Sequence, residues 1–180
     1  MPAYAAFLRG INLGNRRVGG AALAACFSDL GLEDARAYQA SGNVIFAAKR
    51  EPVAKLTARI EQGLERGLGY EVPTFLRTAA EVRAIAGHEP FPARQVSASK
   101  GKLQVILLTA KPTAKARQVV LALATTEDPL AFSGRELYWL PSGGTLDSEL
   151  DLKAAEKLLG TTTMRTQGTV ERIAAKFFAG

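Results

Sequence analysis

One cysteine, one histidine and one tryptophan in 180 residues narrow the chemistry before any motif is sought. A lone thiol, Cys26, forms no internal disulfide, and with His88 it makes no recognisable set of spaced zinc ligands. No metal, no cofactor and no thiol-redox pair is therefore expected. Long apolar runs are scarce too: the run 119–124 holds six apolar residues, where a membrane helix needs about 18. No charged-then-apolar leader opens the chain, so residence in the cytoplasm without membrane contact is the expectation. Low-complexity tracts and long charge blocks are missing as well. What remains is 47% hydrophobic and 22% charged, the balance of a folded protein with a core, in a length that fits one large domain or two small ones.

The net charge of +6 is spread unevenly, as +2 over residues 1–90 and +4 over residues 91–180. Residues 90–126 contain no acid and carry Arg94, Lys100, Lys102, Lys111, Lys115 and Arg117. Such a run attracts anions, nucleic acid included, although a basic protein must also place its lysines somewhere.

Periodicity divides the first half into alternating strands and helices. Residues 4–8 form a compact apolar run, and Leu23, Cys26, Phe27 and Leu30 make the stripe of a helix over about 20–30 that Gly31 ends. Segments 35–39 and 43–47 read as a hairpin around Ala40-Ser41-Gly42. Pro52 opens a helix with Val53, Leu56, Ile60 and Leu64 on one face; Gly67 and Gly69 stop it before a strand at 71–76. The order β-α-β-β-α-β is that of a ferredoxin-like split unit.

The second half repeats this grammar. A helix opened by the capping box Thr78-Ala79-Ala80-Glu81 and a link containing Pro90 and Pro92 lead to a strand at 103–109. Pro112 begins a helix striped by Ala116, Val119, Val120 and Leu123, and strands 130–132 and 136–140 flank the turn Ser133-Gly134-Arg135. A helix capped by Ser148 with Asp151, a closing strand no longer than 162–165 and a final helical segment at 166–178 complete it. The reading is an α+β protein of two ferredoxin-like units in tandem, the second with a degenerate closing strand and an added C-terminal helix. Its units are expected at 1–86 and 100–180, joined by a linker at 87–99.

Two strings, Ala6-Phe7-Leu8-Arg9-Gly10-Ile11-Asn12-Leu13-Gly14 and Tyr38-Gln39-Ala40-Ser41-Gly42-Asn43-Val44-Ile45-Phe46, resemble the opening of the bacterial family named domain of unknown function 1697. The similarity runs on through Arg77-Thr78 and Arg135-Glu136-Leu137-Tyr138. Where many members read Thr-x-Arg-Asn-Trp-x-Thr, this chain has Thr163-Met164-Arg165-Thr166-Gln167-Gly168-Thr169, keeping Arg165 and the threonines but lacking the Asn and Trp. The resemblance implies an α+β fold with ferredoxin-like parts, and no activity.

Two segments could hold a ligand. The loop from Gly10 to Gly20 is rich in glycine, is flanked or filled by Arg9, Arg16 and Arg17, and feeds a helix N-terminus, which favours an anion. It lacks the Gly-Lys-Ser/Thr of a Walker loop and the spacing of a dinucleotide fingerprint. In a split unit the first two strands run parallel, so the end of the first and the turn after the second share one sheet edge. Arg9, Gly10, Asn12, Arg16, Arg17, Ser41, Gly42 and Asn43 are therefore the candidate ligand-binding residues. An anionic small molecule is the favoured partner and nucleic acid the less favoured one; an enzyme acting on a phosphorylated small molecule and a protein-interaction scaffold are the alternatives. These segments contain no acid, histidine or cysteine, so no catalytic residue is assigned. Cys26 reads as a core thiol and His88 as a loop residue. The tract 141–145 reads as a connection, and Tyr4, Phe7 and Phe46 as core aromatics rather than base-stacking rings.

Overall fold

The computed structural model describes residues 1–40 and 42–180, so Ser41, one of the candidate ligand-binding residues, lies outside the described residues. The chain separates into two compact units, Met1–Arg83 with Ile173–Gly180, and Ala84–Arg172. No helix among the described residues is long and apolar enough to cross a membrane.

In the first unit the order is β1 (Ala3–Leu8), α1 (Gly20–Asp29), β2 (Glu33–Tyr38), β3 (Asn43–Ala47), α2 (Val53–Leu68) and β4 (Thr74–Thr78), with α3 (Ala79–Gly87) following directly. The strands make one antiparallel sheet in the order β2-β3-β1-β4. Strand alternation puts Tyr4, Ala6 and Leu8 on one face with Val44, Phe46 and Leu76, and there they bury against Leu23 and Phe27 of α1 and Leu56, Ile60 and Leu64 of α2. Phe46 is the centre of this packing, its ring 5.5 Å from Tyr4 and 5.3 Å from Phe27. Each such ring or leucine contributes roughly 1.5–3 kcal/mol by leaving water. The other alternate positions, Ala5, Phe7, Ile45 and Phe75, are buried as well.

The second unit contains α4 (Ala93–Ala98), β5 (Gln104–Leu108), α5 (Ala114–Leu121), β6 (Leu130–Ser133), β7 (Glu136–Trp139), α6 (Leu152–Leu159) and β8 (Thr162–Thr166), with α7 (Gln167–Phe177) after it. Its sheet has the order β6-β7-β5-β8, again antiparallel. Ile106, Leu108, Leu137 and Trp139 pack with Val120 of α5 and Ala155 of α6. Trp139 Nε1 and Ser148 Oγ both donate to buried Asp128 Oδ1, at 2.8 and 2.7 Å, which ties β7 to the loop before α6.

Several boundaries differ from the periodicity, each for a local reason. The fourth strand starts at Thr74, not 71, because Pro73 has no N–H for a ladder and Thr74 N donates to Glu61 Oε1 instead. Helix α2 continues through Gly67 and ends only at left-handed Gly69, φ 85°. Gly67 serves packing, since a Cβ there would meet Cys26 Sγ at 3.3 Å. The cap of α6 is Asp151, which accepts from Ala154 N. Ser148 instead accepts from Leu150 N in the preceding turn. The segment read as a linker holds α4, begun by Pro92. The capping box of α3 is formed as read: Glu81 N donates to Thr78 Oγ1 and Thr78 N to Glu81 Oε2.

Candidate functional site

Strand β1 ends at Leu8, and its backbone leads straight into the glycine-containing loop. Leu8 N donates to Gly42 O at 2.8 Å, and Phe7 pairs with Asn43, so the loop after β1 and the turn between β2 and β3 meet at one edge of the first sheet. Gly42 is required at this crossing. Its φ is 78°, and a Cβ would lie 2.9 Å from Ile11 Cγ2 and 3.2 Å from Leu8 Cβ.

Two asparagines fasten the edge. Asn12 Nδ2 donates to Ala40 O at 2.6 Å while its Oδ1 accepts from Val18 N at 3.0 Å, so one carboxamide clips the loop to the turn and to the approach of α1. Asn43, fully buried, donates from Nδ2 to Tyr38 O at 3.0 Å. Between these clips Gln39 is held at φ 61°, a left-handed conformation unusual for a residue other than glycine.

Between the loop and the turn lies an open cavity of about 320 Å³, lined by small or aliphatic residues together with Asn12 and Gln39. Ile11, Val18, Leu23 and Ala37 give it apolar walls, and Gly19 and Gly20 bring the first turn of α1 to it. That turn has no cap of its own: Gly19 at the N-cap offers no side chain, and no acid stands in the first turn. Free helix N–H groups with a positive dipole end are a binding surface for an anion.

Of the expected ligand-binding residues, Asn12 and Gly42 line this cavity. Gly10, at φ 72°, turns the chain out of β1, and Arg9 N donates to Pro73 O. The guanidinium of Arg16 lies 4.0 Å over the ring of Tyr70, whose hydroxyl donates to Ile11 O. Arg17 Nη1 donates to Gly14 O and Arg16 O, at 2.9 and 2.7 Å. These two arginines thus brace the loop and give it charge. Leu23, Ala37, Gln39 and Ala40 line the cavity without being expected there, and Gln39 is the polar one among them, which the sequence pattern makes the last position of a strand. The signal was its place one residue past that strand's apolar alternation, before Ala40-Ser41-Gly42.

The remaining candidates stand elsewhere. Burial, and then the Asp29 carboxylate, hold the Cys26 thiol above its ordinary value, so it is protonated at neutral pH. His88 is half-buried with its ring 4.9 Å from that of Tyr138. Buried Arg165 is lowered by desolvation to about 10 and stays cationic at neutral pH. No group of three His, Cys, Asp or Glu among the described residues could hold a metal ion.

A family model described as "Protein of unknown function (DUF1697)" matches residues 1–138. Among solved structures, the conserved bacterial protein SP0830 from Streptococcus pneumoniae is similar to this chain, with a TM-score of 0.71 over 97% of each chain and 20% sequence identity, a likeness of fold. No curated protein matches.

Proposed function

This chain belongs to the DUF1697 family, and we propose that it binds a small anionic molecule, a phosphorylated metabolite by preference, in the cavity between the loop after β1 and Gln39, Ala40 and Gly42. The observation that carries this reading is the bare N-terminus of α1 at the cavity wall, with neither a capping side chain nor an acid in its first turn. Backbone N–H groups there supply hydrogen bonds and the positive end of the helix dipole. Arg16 and Arg17 raise the local potential from the loop they brace. A cavity of about 320 Å³ sits at the small end of ligand sites, which suits a metabolite better than a polymer. The sheet orders β2-β3-β1-β4 and β6-β7-β5-β8 support the further reading of two tandem ferredoxin-like units. In it the site belongs to the first, and the protein works in the cytoplasm.

Titration with inorganic phosphate, followed residue by residue through backbone amide NMR shifts, tests the site. Saturable shifts at residues 20–22 and 39–42 are expected. Shifts confined to the lysines and arginines of residues 90–126 would overturn the reading and favour a polyanion along that run.

A further inference from the structure

We infer that strand β6 is a docking edge for a second copy of this chain, the two β6 strands pairing antiparallel about a two-fold axis at Ala131. Strands β2 and β6 are the outer strands at one end of the two sheets, and β4 and β8, at the other end, are mainly buried. Strand β2 is guarded. Glu33, Asp34 and Arg36 are exposed along it, Asp34 has φ 52°, and the register against β3 shifts between Glu33 and Arg36. Charges and irregularities of this kind keep an edge from pairing with another chain. Strand β6 carries neither: Leu130, Ala131, Phe132 and Ser133 are uncharged, half-buried and in unbroken register with β7.

The ladder to β7 fixes which groups β6 leaves over. Leu140 N donates to Pro129 O, so by antiparallel alternation Ala131 and Ser133 also turn their N–H and C=O toward β7. Leu130 and Phe132 turn theirs outward, two donors and two acceptors, and none of the four is bonded among the described residues. One register uses all four: Leu130 of each copy opposite Phe132 of the other, with Ala131 facing Ala131 at the axis. Leu130 and Phe132 both pack against the core of the second unit, so this pairing carries that apolar face across the axis. The charges agree with it. Antiparallel pairing brings the start of one strand, where Glu127 is exposed, toward the end of the other, where Arg135 follows and the Arg117 guanidinium lies 5.6 Å over the ring of Phe132. An edge that is its own complement in hydrogen bonds, apolar contacts and charge fits a second copy of itself.

So short a ribbon belongs with weak, reversible contacts, and sedimentation of the full chain at rising concentration reads it. The mass should climb from that of one chain to that of two. Ala131→Lys and Ala131→Asp should each keep the wild-type circular dichroism and weaken the dimer about tenfold or more, because like charges meet at the axis. An equimolar mixture of the two should recover the dimer, which misfolded variants would not do. Ala131→Cys should cross-link to itself under mild oxidation, since facing residues of a non-hydrogen-bonded antiparallel pair have Cα atoms about 4.5 Å apart, within reach of a disulfide. Wild type, with Cys26 alone, is the control. A dimer untouched by Ala131→Lys, or an Ala131→Cys variant that cross-links no faster than wild type, overturns the pairing of β6. A chain that stays monomeric up to about 1 mM overturns it too, and leaves the edge to an extended segment of another protein.

Discussion

The two sheets are built to the same order, yet their connections at corresponding places differ. From β1 to α1 the chain uses residues 9–19, eleven in all, and from β5 to α5 it uses residues 109–113, which is five. The turn between β2 and β3 takes residues 39–42, and that between β6 and β7 takes only residues 134 and 135. Helix α5 starts with Thr113 accepting from Ala116 N, whereas α1 starts bare at Gly19. The second unit shows that this sheet order closes with short connections and a self-capped helix. What the first unit adds beyond that minimum is what walls the cavity. Length in excess of the fold's need is a mark of loops that serve binding.

The largest effect should come from the unit with the tighter connections. Asp128→Ala removes the acceptor shared by Trp139 Nε1 and Ser148 Oγ and leaves a buried indole N–H without a partner. A loss of about 3 kcal/mol is expected, or roughly 6–12 °C in melting midpoint for a chain of this size. A loss below about 1 kcal/mol would show the second unit's loops to be held no more firmly than the first's. Next in size is Thr113→Ala, which exposes the first turn of α5 as that of α1 is exposed, at a cost of about 1 kcal/mol by denaturant unfolding. Phosphate binding should be unchanged in it; a change would place the anion site in the second unit.

Much of this architecture is legible in the sequence because it rests on local signals. The stripe Leu23, Phe27 finds α1, and Val44 and Phe46 find the buried face of β3. The signals fail where a polar residue goes inward. The strings Thr74-Phe75-Leu76-Arg77-Thr78 and Thr162-Thr163-Met164-Arg165-Thr166 form β4 and β8, the corresponding edge strands, each with a buried arginine next to its last residue. Ala5 faces Arg77 and Val105 faces Arg165 in the same register. Charge normally marks the outside of a strand, so the repeated Arg-Thr ending was readable as a string but not as a register. The rim was legible for a different reason, since parallel β1 and β2 follow from connectivity alone. The tasks of its side chains were not. Arg16 finds Tyr70 only after α2 has brought the chain back, and the left-handed Gln39 depends on two asparagines whose partners are set by folding.

The smallest expected change in stability is the one that bears most directly on the contrast between α1 and α5. Gly19 has φ −67° and ψ 152°, an extended conformation open to any residue, and nothing lies within 4 Å of where its Cβ would stand. Gly19→Asp therefore installs a carboxylate N-cap without strain and gives α1 the self-capped start that α5 already has. An aspartate cap improves on glycine by a few tenths of a kcal/mol, and its charge at the helix N-terminus adds about 0.3–1 kcal/mol. Differential scanning should show the midpoint rising by about 1–3 °C. The same carboxylate occupies the N–H groups proposed to hold the ligand's anion and repels it, so the phosphate-induced shifts at residues 20–22 should vanish. A protein that gains this stability yet binds phosphate as before would sever the bare helix start from the function assigned to it.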